Sequence, residues 1–214
     1  MSFCSAPWYE LNIYAQDNNV SACCYYSGAK ESWEDAALPL DHYWNGTGMR
    51  SLRQLQSQPP DSAENGCSSC FFYKQMLPGT AYYDFSPAVP PTGLSHKQQE
   101  NWLRAKTEQA EGKEAVECTP LRIYANFGFA CNLSCTMCHQ VPRRGEIRRQ
   151  IFADNILGWK DALERCLEMC VIGGEPFALP EALKFIRRFI ATPDSESVRL
   201  SVFKIGRASC RARV

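Results

Sequence analysis

Hydrophobic and polar positions alternate with different periods along this chain. Leu121 to Phe127 is an apolar run rich in β-formers, the pattern of a buried strand. Glu168–Ile172 and Val198–Phe203 read as two further strands. Between the first and second, Ile151, Ile156, Leu157, Trp159 and Leu163 recur in a loose helical period over Ile151 to Leu163. Between the second and third, Pro180 opens a helix to Ile190 with Leu183, Phe185, Ile186, Phe189 and Ile190 apolar. Strand, helix, strand, helix, strand predicts an α/β fold with a parallel sheet and right-handed crossovers.

The amino-terminal part has shorter periods. Leu11–Tyr14 reads as a strand, Asp17-Asn18-Asn19 as a turn, and Val20 to Tyr26 as the returning strand that carries Cys23 and Cys24. Met49, Leu52 and Leu55 share one face of a helix that Pro59-Pro60 stops, and Trp8 and Trp44 are expected to pack this small module. Pro78-Gly79, Pro87, Pro90-Pro91 and Gly93 then break the chain repeatedly, as a linker does. Ser95 and Gln98 form a capping box for a helix that runs to Glu111 and ends at Gly112, and its charges mark a solvated face. The expected division is a module over 1–75, a linker with a helix over 76–120, and a core over 121–204.

Composition narrows the class. Among 214 residues, 23 basic side chains balance 23 acidic ones, so nothing argues for nucleic acid or a charged membrane surface. The start has no basic segment followed by an apolar run, and no stretch is long and apolar enough to span a membrane, which favours a cytoplasmic protein. Twelve cysteines without a secretion signal suggest metal or cluster binding in a reducing compartment, not a disulfide framework.

The cysteines fall into sets. Cys131, Cys135 and Cys138 are spaced C-x3-C-x2-C on a loop at the end of the first core strand. Three thiolates can hold three corners of an iron–sulfur cube and leave the fourth iron open. Gly173-Gly174-Glu175-Pro176 sits about 35 residues further on, at the end of the second strand. Two glycines there allow close backbone approach to a ligand, Pro176 fixes the exit, and Glu175 can accept from an ammonium group. Cys4, Cys23 or Cys24, Cys67 and Cys70 are candidates for a second site, which would suit a cluster or tetrahedral zinc. Cys118, Cys166 and Cys170 read as structural thiols, and His139 adjoins the third loop cysteine. Arg143-Arg144 and Arg148-Arg149 form a basic run that suits a solvated surface or an anionic partner.

The C-x3-C-x2-C loop with its later Gly-Gly-Glu-Pro resembles the radical S-adenosylmethionine (radical SAM) enzymes. The order Cys4, Pro7-Trp8, Cys23-Cys24, Trp44-Asn45, an arginine-bearing helix and Cys67-x2-Cys70 resembles the SPASM/twitch domains of that family, here placed before the core. The resemblance implies a partial, truncated radical SAM βα barrel preceded by a small α+β cluster-binding domain. It implies a 4Fe–4S cluster on Cys131, Cys135 and Cys138 whose open iron chelates SAM. Met137 would pack near the adenine, and Gly173, Gly174, Glu175 and Pro176 would contact the SAM amino group. It further implies an auxiliary 4Fe–4S cluster on Cys4, Cys23, Cys67 and Cys70, with Cys24 spare. The implied activity is reductive cleavage of SAM to a 5′-deoxyadenosyl radical that abstracts hydrogen from a substrate, by analogy a peptide or protein. A flavodoxin- or ferredoxin-like electron donor is implied as well. The competing reading is a non-catalytic zinc-binding interaction module. Residues 205–214, Cys210 included, resemble the translation of a sequencing adapter, so a catalytic domain cut short and inactive is the expectation.

Overall fold

The computed structural model describes residues 4–34, 36–56, 66, 67, 70, 90–133, 135, 136, 138, 140, 142, 150–192 and 197–203. Its centre is a mixed five-stranded sheet in the order β2-β1-β3-β4-β5. The strands are β1 (Glu10–Tyr14), β2 (Asn19–Ser21), β3 (Arg122–Asn126), β4 (Glu168–Ile172) and β5 (Arg199–Val202). As the alternation of elements predicts, β3, β4 and β5 run parallel. A pairing that local patterns do not reveal joins β1 in parallel to β3, and β2 returns antiparallel on its outer side. The amino-terminal hairpin is therefore continuous with the core sheet.

The two-residue period of the strands sorts their side chains. Leu11, Ile13, Ile123, Ala125, Met169 and Val171 are fully buried and join one hydrophobic core. That core includes Phe185 and Phe189 of α7 (Pro180–Ile190), Ile156 of α5 (Ala153–Leu157) and Trp102 of α4 (His96–Glu111). The opposite face is polar and in register. Glu10, Arg122, Glu168 and Arg199 form one row across four strands, and Asn12, Tyr124, Cys170 and Ser201 form the next. Arg122 bridges its row, 3.4 Å from Glu10 and 2.8 Å from Glu168. Tyr14, Asn126 and Ile172 close the face at the carboxyl ends.

Three elements differ from the sequence pattern. The returning strand stops at Ser21 instead of Tyr26, and beyond it the backbone turns to other partners, with Ser27 N–H donating to the Gly66 carbonyl at 2.9 Å. Cys23 and Cys24 thus lie beyond the strand. The helix expected over Ile151 to Leu163 is two, α5 and α6 (Lys160–Arg165). Trp159 turns inward at the break, donating from Nε1 to the Leu38 carbonyl at 2.9 Å beside Trp33 and Tyr43.

The third is α4. Its Ser95–Gln98 capping box and left-handed Gly112 are as expected, and His96, Lys97, Glu100 and Arg104 form the expected solvated face, but its other face is buried. Gln98 donates to the carbonyls of Cys166 (2.8 Å) and Ser197 (3.1 Å), Asn101 donates to Thr119, and Glu108 accepts from the backbone of Glu117 and Cys118. Its buried face satisfies strand-end backbone groups with amide and carboxylate side chains, so apolar periodicity understates its burial.

Two short helices, α1 (Ala6–Tyr9) and α2 (Leu40–Trp44), precede α3 (Thr47–Gln56), and Trp8 and Trp44 are buried as expected. Cys118, Cys166 and Cys170 are buried too. Pro59-Pro60, Pro78-Gly79, Pro87, Arg143-Arg144, Arg148-Arg149 and residues 205–214 lie outside the described residues. Among the described residues, no helix is long and apolar enough to cross a membrane.

Candidate functional site

At the carboxyl ends of β1, β3 and β4 the sheet opens into a cavity of about 880 Å³. Cys131, Cys135 and Cys138 all line it, with Gly173 and Gly174 from the end of β4 and Tyr14, Asn126 and Ile172 from the strands. The wall contributed by the amino-terminal hairpin consists of Asp17, Asn18, Asn19, Cys24 and Lys30.

Local geometry explains how the cysteine loop starts. Asn126 Oδ1 accepts from Gly128 N–H at 3.1 Å and turns the chain out of β3. The Gly128 and Ala130 carbonyls then accept from Gly174 N–H and Glu175 N–H, both at 2.9 Å. A Cβ on Gly174 would stand 2.2 Å from the Ala130 oxygen, and one on Gly173 would stand 2.5 Å from the Gly128 oxygen. Gly173 also has φ of 138°, outside the range side-chain-bearing residues favour. The two glycines therefore approach the backbone of the cysteine loop itself. Within the loop, Leu133 N–H points at Cys131 Sγ (3.4 Å) and Cys138 N–H donates to the Cys135 carbonyl (3.1 Å).

Glu175 and Pro176 have a different setting. Glu175 Oε1 accepts from Phe177 N–H at 3.3 Å and caps the short turn Pro176–Ala178, where Pro176 is buried. Neither residue is among those lining the cavity. Met137 and His139 lie outside the described residues.

The second cysteine set converges elsewhere. Cys4, Cys23, Cys67 and Cys70 line one small, apolar pocket with Ala22, Tyr26, Leu52 and Gln56. Cys70 N–H donates to the Cys67 carbonyl at 2.9 Å, closing the knuckle, and Ser27 ties the neighbouring Gly66 to the hairpin. Behind Cys4, fully buried Arg53 donates to the carbonyls of Pro7, Trp44 and Glu114 and to Asn45 Oδ1. Burial pushes the Cys4 thiol up to about 12, and burial with the nearby Cys70 pushes Cys67 up to about 11. The hydrogen bond between Cys23 and Cys24 raises the first, which burial raises further, and lowers the second to about 7.

Among the described residues, no group of three or more His, Cys, Asp or Glu side chains is drawn together as the ligands of a metal ion. Each set of thiols lines a cavity of its own. The donor chemistry of the second set, four sulfur side chains in an apolar pocket with no basic residue among its described walls, fits thiolate-bound iron or tetrahedral zinc. Cys24, the alternative to Cys23 in the sequence, is not among the residues lining the small pocket and lines the large cavity instead. No family model, no curated protein and no solved structure matches the chain.

Proposed function

We propose that this chain belongs to a radical SAM enzyme with an amino-terminal auxiliary-cluster module. The observation that carries the reading is the shared cavity. Cys131, Cys135 and Cys138 open into it beside Gly173 and Gly174, and the backbone N–H groups of Gly174 and Glu175 hold the start of the loop. Three thiolates on one loop would hold a 4Fe–4S cluster and leave one iron facing a space large enough for a second molecule. When bound, that cluster and SAM supply the one-electron chemistry that yields a 5′-deoxyadenosyl radical.

The chain's own residues have simpler roles. Gly128, Ala130 and Gly174 fix the loop's exit from β3. Asp17, Asn19 and Lys30 add polar groups to the lining of the same cavity. Cys4, Cys23, Cys67 and Cys70 would hold the auxiliary cluster. The strands β3 to β5, extended by β1, are read as part of a βα barrel. A peptide or protein substrate, a flavodoxin- or ferredoxin-like donor and a cytoplasmic location complete the proposal.

Anaerobic reconstitution tests it. The chain should take up about eight iron atoms, two cubes of four. Changing Cys131, Cys135 and Cys138 together to Ala should halve that number, and SAM should alter the electron paramagnetic resonance signal only when the loop cysteines are present. A colourless protein that binds zinc and no iron would overturn the assignment in favour of a zinc module.

A further inference from the structure

We propose that Gln56 is a side-chain hydrogen-bond donor that raises the reduction potential of the cluster held by Cys4, Cys23, Cys67 and Cys70, which rests on the reading that these thiolates hold one. Gln56 is the last residue of α3 and is fully buried. Leu52, one helical turn earlier, lines the same pocket, so this face of α3 forms its wall. Gln56 Nε2 lies 3.4 Å from Cys67 Sγ. Its other amide atom, Oε1, is buried and has no hydrogen-bond partner among the described residues.

This is an expensive way to fill a pocket wall. A buried acceptor without a partner is destabilising, whereas Leu or Met of similar volume would leave nothing unsatisfied. The fold therefore gives no reason for an amide at this position, and the sulfur does. As a ligand, Cys67 is a thiolate with lone pairs only, which an N–H can satisfy. The reverse amide orientation would set an acceptor against it. A donor to a ligand sulfur stabilises the more electron-rich, reduced cluster and so raises its potential.

The test uses the full chain with Cys131, Cys135 and Cys138 changed to Ala, so that one cluster remains, reconstituted anaerobically and titrated by electron paramagnetic resonance. Gln56→Met should keep the iron content and should not lower the melting temperature of the iron-free protein, while its midpoint potential moves negative. Gln56→Glu should move it further negative, because a carboxylate faces the sulfur. An unchanged midpoint in Gln56→Met at full iron content would overturn the proposal. Loss of iron from both variants would overturn it as well, marking Gln56 as a structural residue. If the parent binds no iron at all, the four-thiolate reading fails instead, and the iron count separates the two failures.

Discussion

Cys23 and Cys24 are consecutive residues that line different cavities. Cys23 lines the small pocket with Cys4, Cys67 and Cys70, and Cys24 lines the large cavity with Cys131, Cys135 and Cys138. The division does not come from strand pleating, because β2 ends at Ser21. It comes from the turn that follows, where Tyr25 N–H donates to Cys23 Sγ at 3.2 Å and Ser21 Oγ donates to the Cys23 carbonyl at 3.1 Å.

This arrangement assigns the two thiols separately. Cys23→Ser should lose the iron of the small pocket, about half of the total, while Cys24→Ser should keep all of it. Iron and sulfide assays on the two reconstituted variants decide the matter. A Cys24→Ser protein with half the iron and a Cys23→Ser protein with all of it would reverse the assignment.

Gly174→Ala addresses the loop. The added Cβ would collide with the Ala130 carbonyl oxygen at 2.2 Å, and that contact is backbone, which cannot swing aside. The loop must shift or the bonds from Gly174 and Glu175 to Gly128 and Ala130 must break. The variant should still fold, since β4 ends at Ile172. Its iron should fall toward the about four atoms of the other pocket, as in the Cys131/Cys135/Cys138 triple variant. Full iron content in a folded Gly174→Ala protein would show that the glycine serves something other than the loop.

These positions show what local pattern can carry. The Ser95–Gln98 capping box, the β4 run and α7 from Pro180 are local signals, and the structure has them at the expected residues. The cysteine spacing is equally legible. The pairing of β1 with β3 is not, because residues far apart in the chain meet only after folding. The inner face of α4 is hidden for another reason. Gln98, Asn101 and Glu108 are buried by serving backbone groups, and a search for apolar periodicity passes over them. Gln56 and Cys24 share that problem, since nothing in their immediate neighbours says which cavity they line.

Glu10 makes stability depend on pH. It is 1% exposed, its Oε2 has no hydrogen-bond partner among the described residues, and Arg122 reaches Oε1 at 3.4 Å. Burial raises its carboxyl from 4.5 to about 8, and the attraction of Arg122 only partly offsets that. The folded chain therefore binds a proton that the unfolded chain releases. The stabilisation is complete below about 4.5, falls as pH rises, and is lost through about 8, with a slope of at most about 1.4 kcal/mol per pH unit. Glu10→Gln removes the titration, so the variant should gain stability relative to the parent between pH 5 and pH 8. Urea unfolding of both proteins across that range measures the difference. A constant difference would show that Glu10 does not titrate there.

Arg53 gives the strongest expected loss. Its guanidinium is fully buried, donates to three carbonyls and Asn45 Oδ1, and lies over the Trp44 ring at 4.6 Å. Burial lowers its pKa to about 10, which leaves it charged at neutral pH. The acceptors come from α1, α2 and the segment after α4, so one planar fork ties three parts of the chain together. Lysine offers one compact ammonium and cannot span them. Arg53→Lys should cost about 2–4 kcal/mol, and Arg53→Ala, which leaves the same carbonyls unserved and an empty space, should cost more. The Pro7 carbonyl lies three residues from Cys4, so the small pocket should lose iron before the loop of Cys131, Cys135 and Cys138 does. Denaturant unfolding and iron counts on Arg53→Lys test both parts. Parental stability and iron in that variant would show that a single positive charge is enough, and that the fork geometry does not matter.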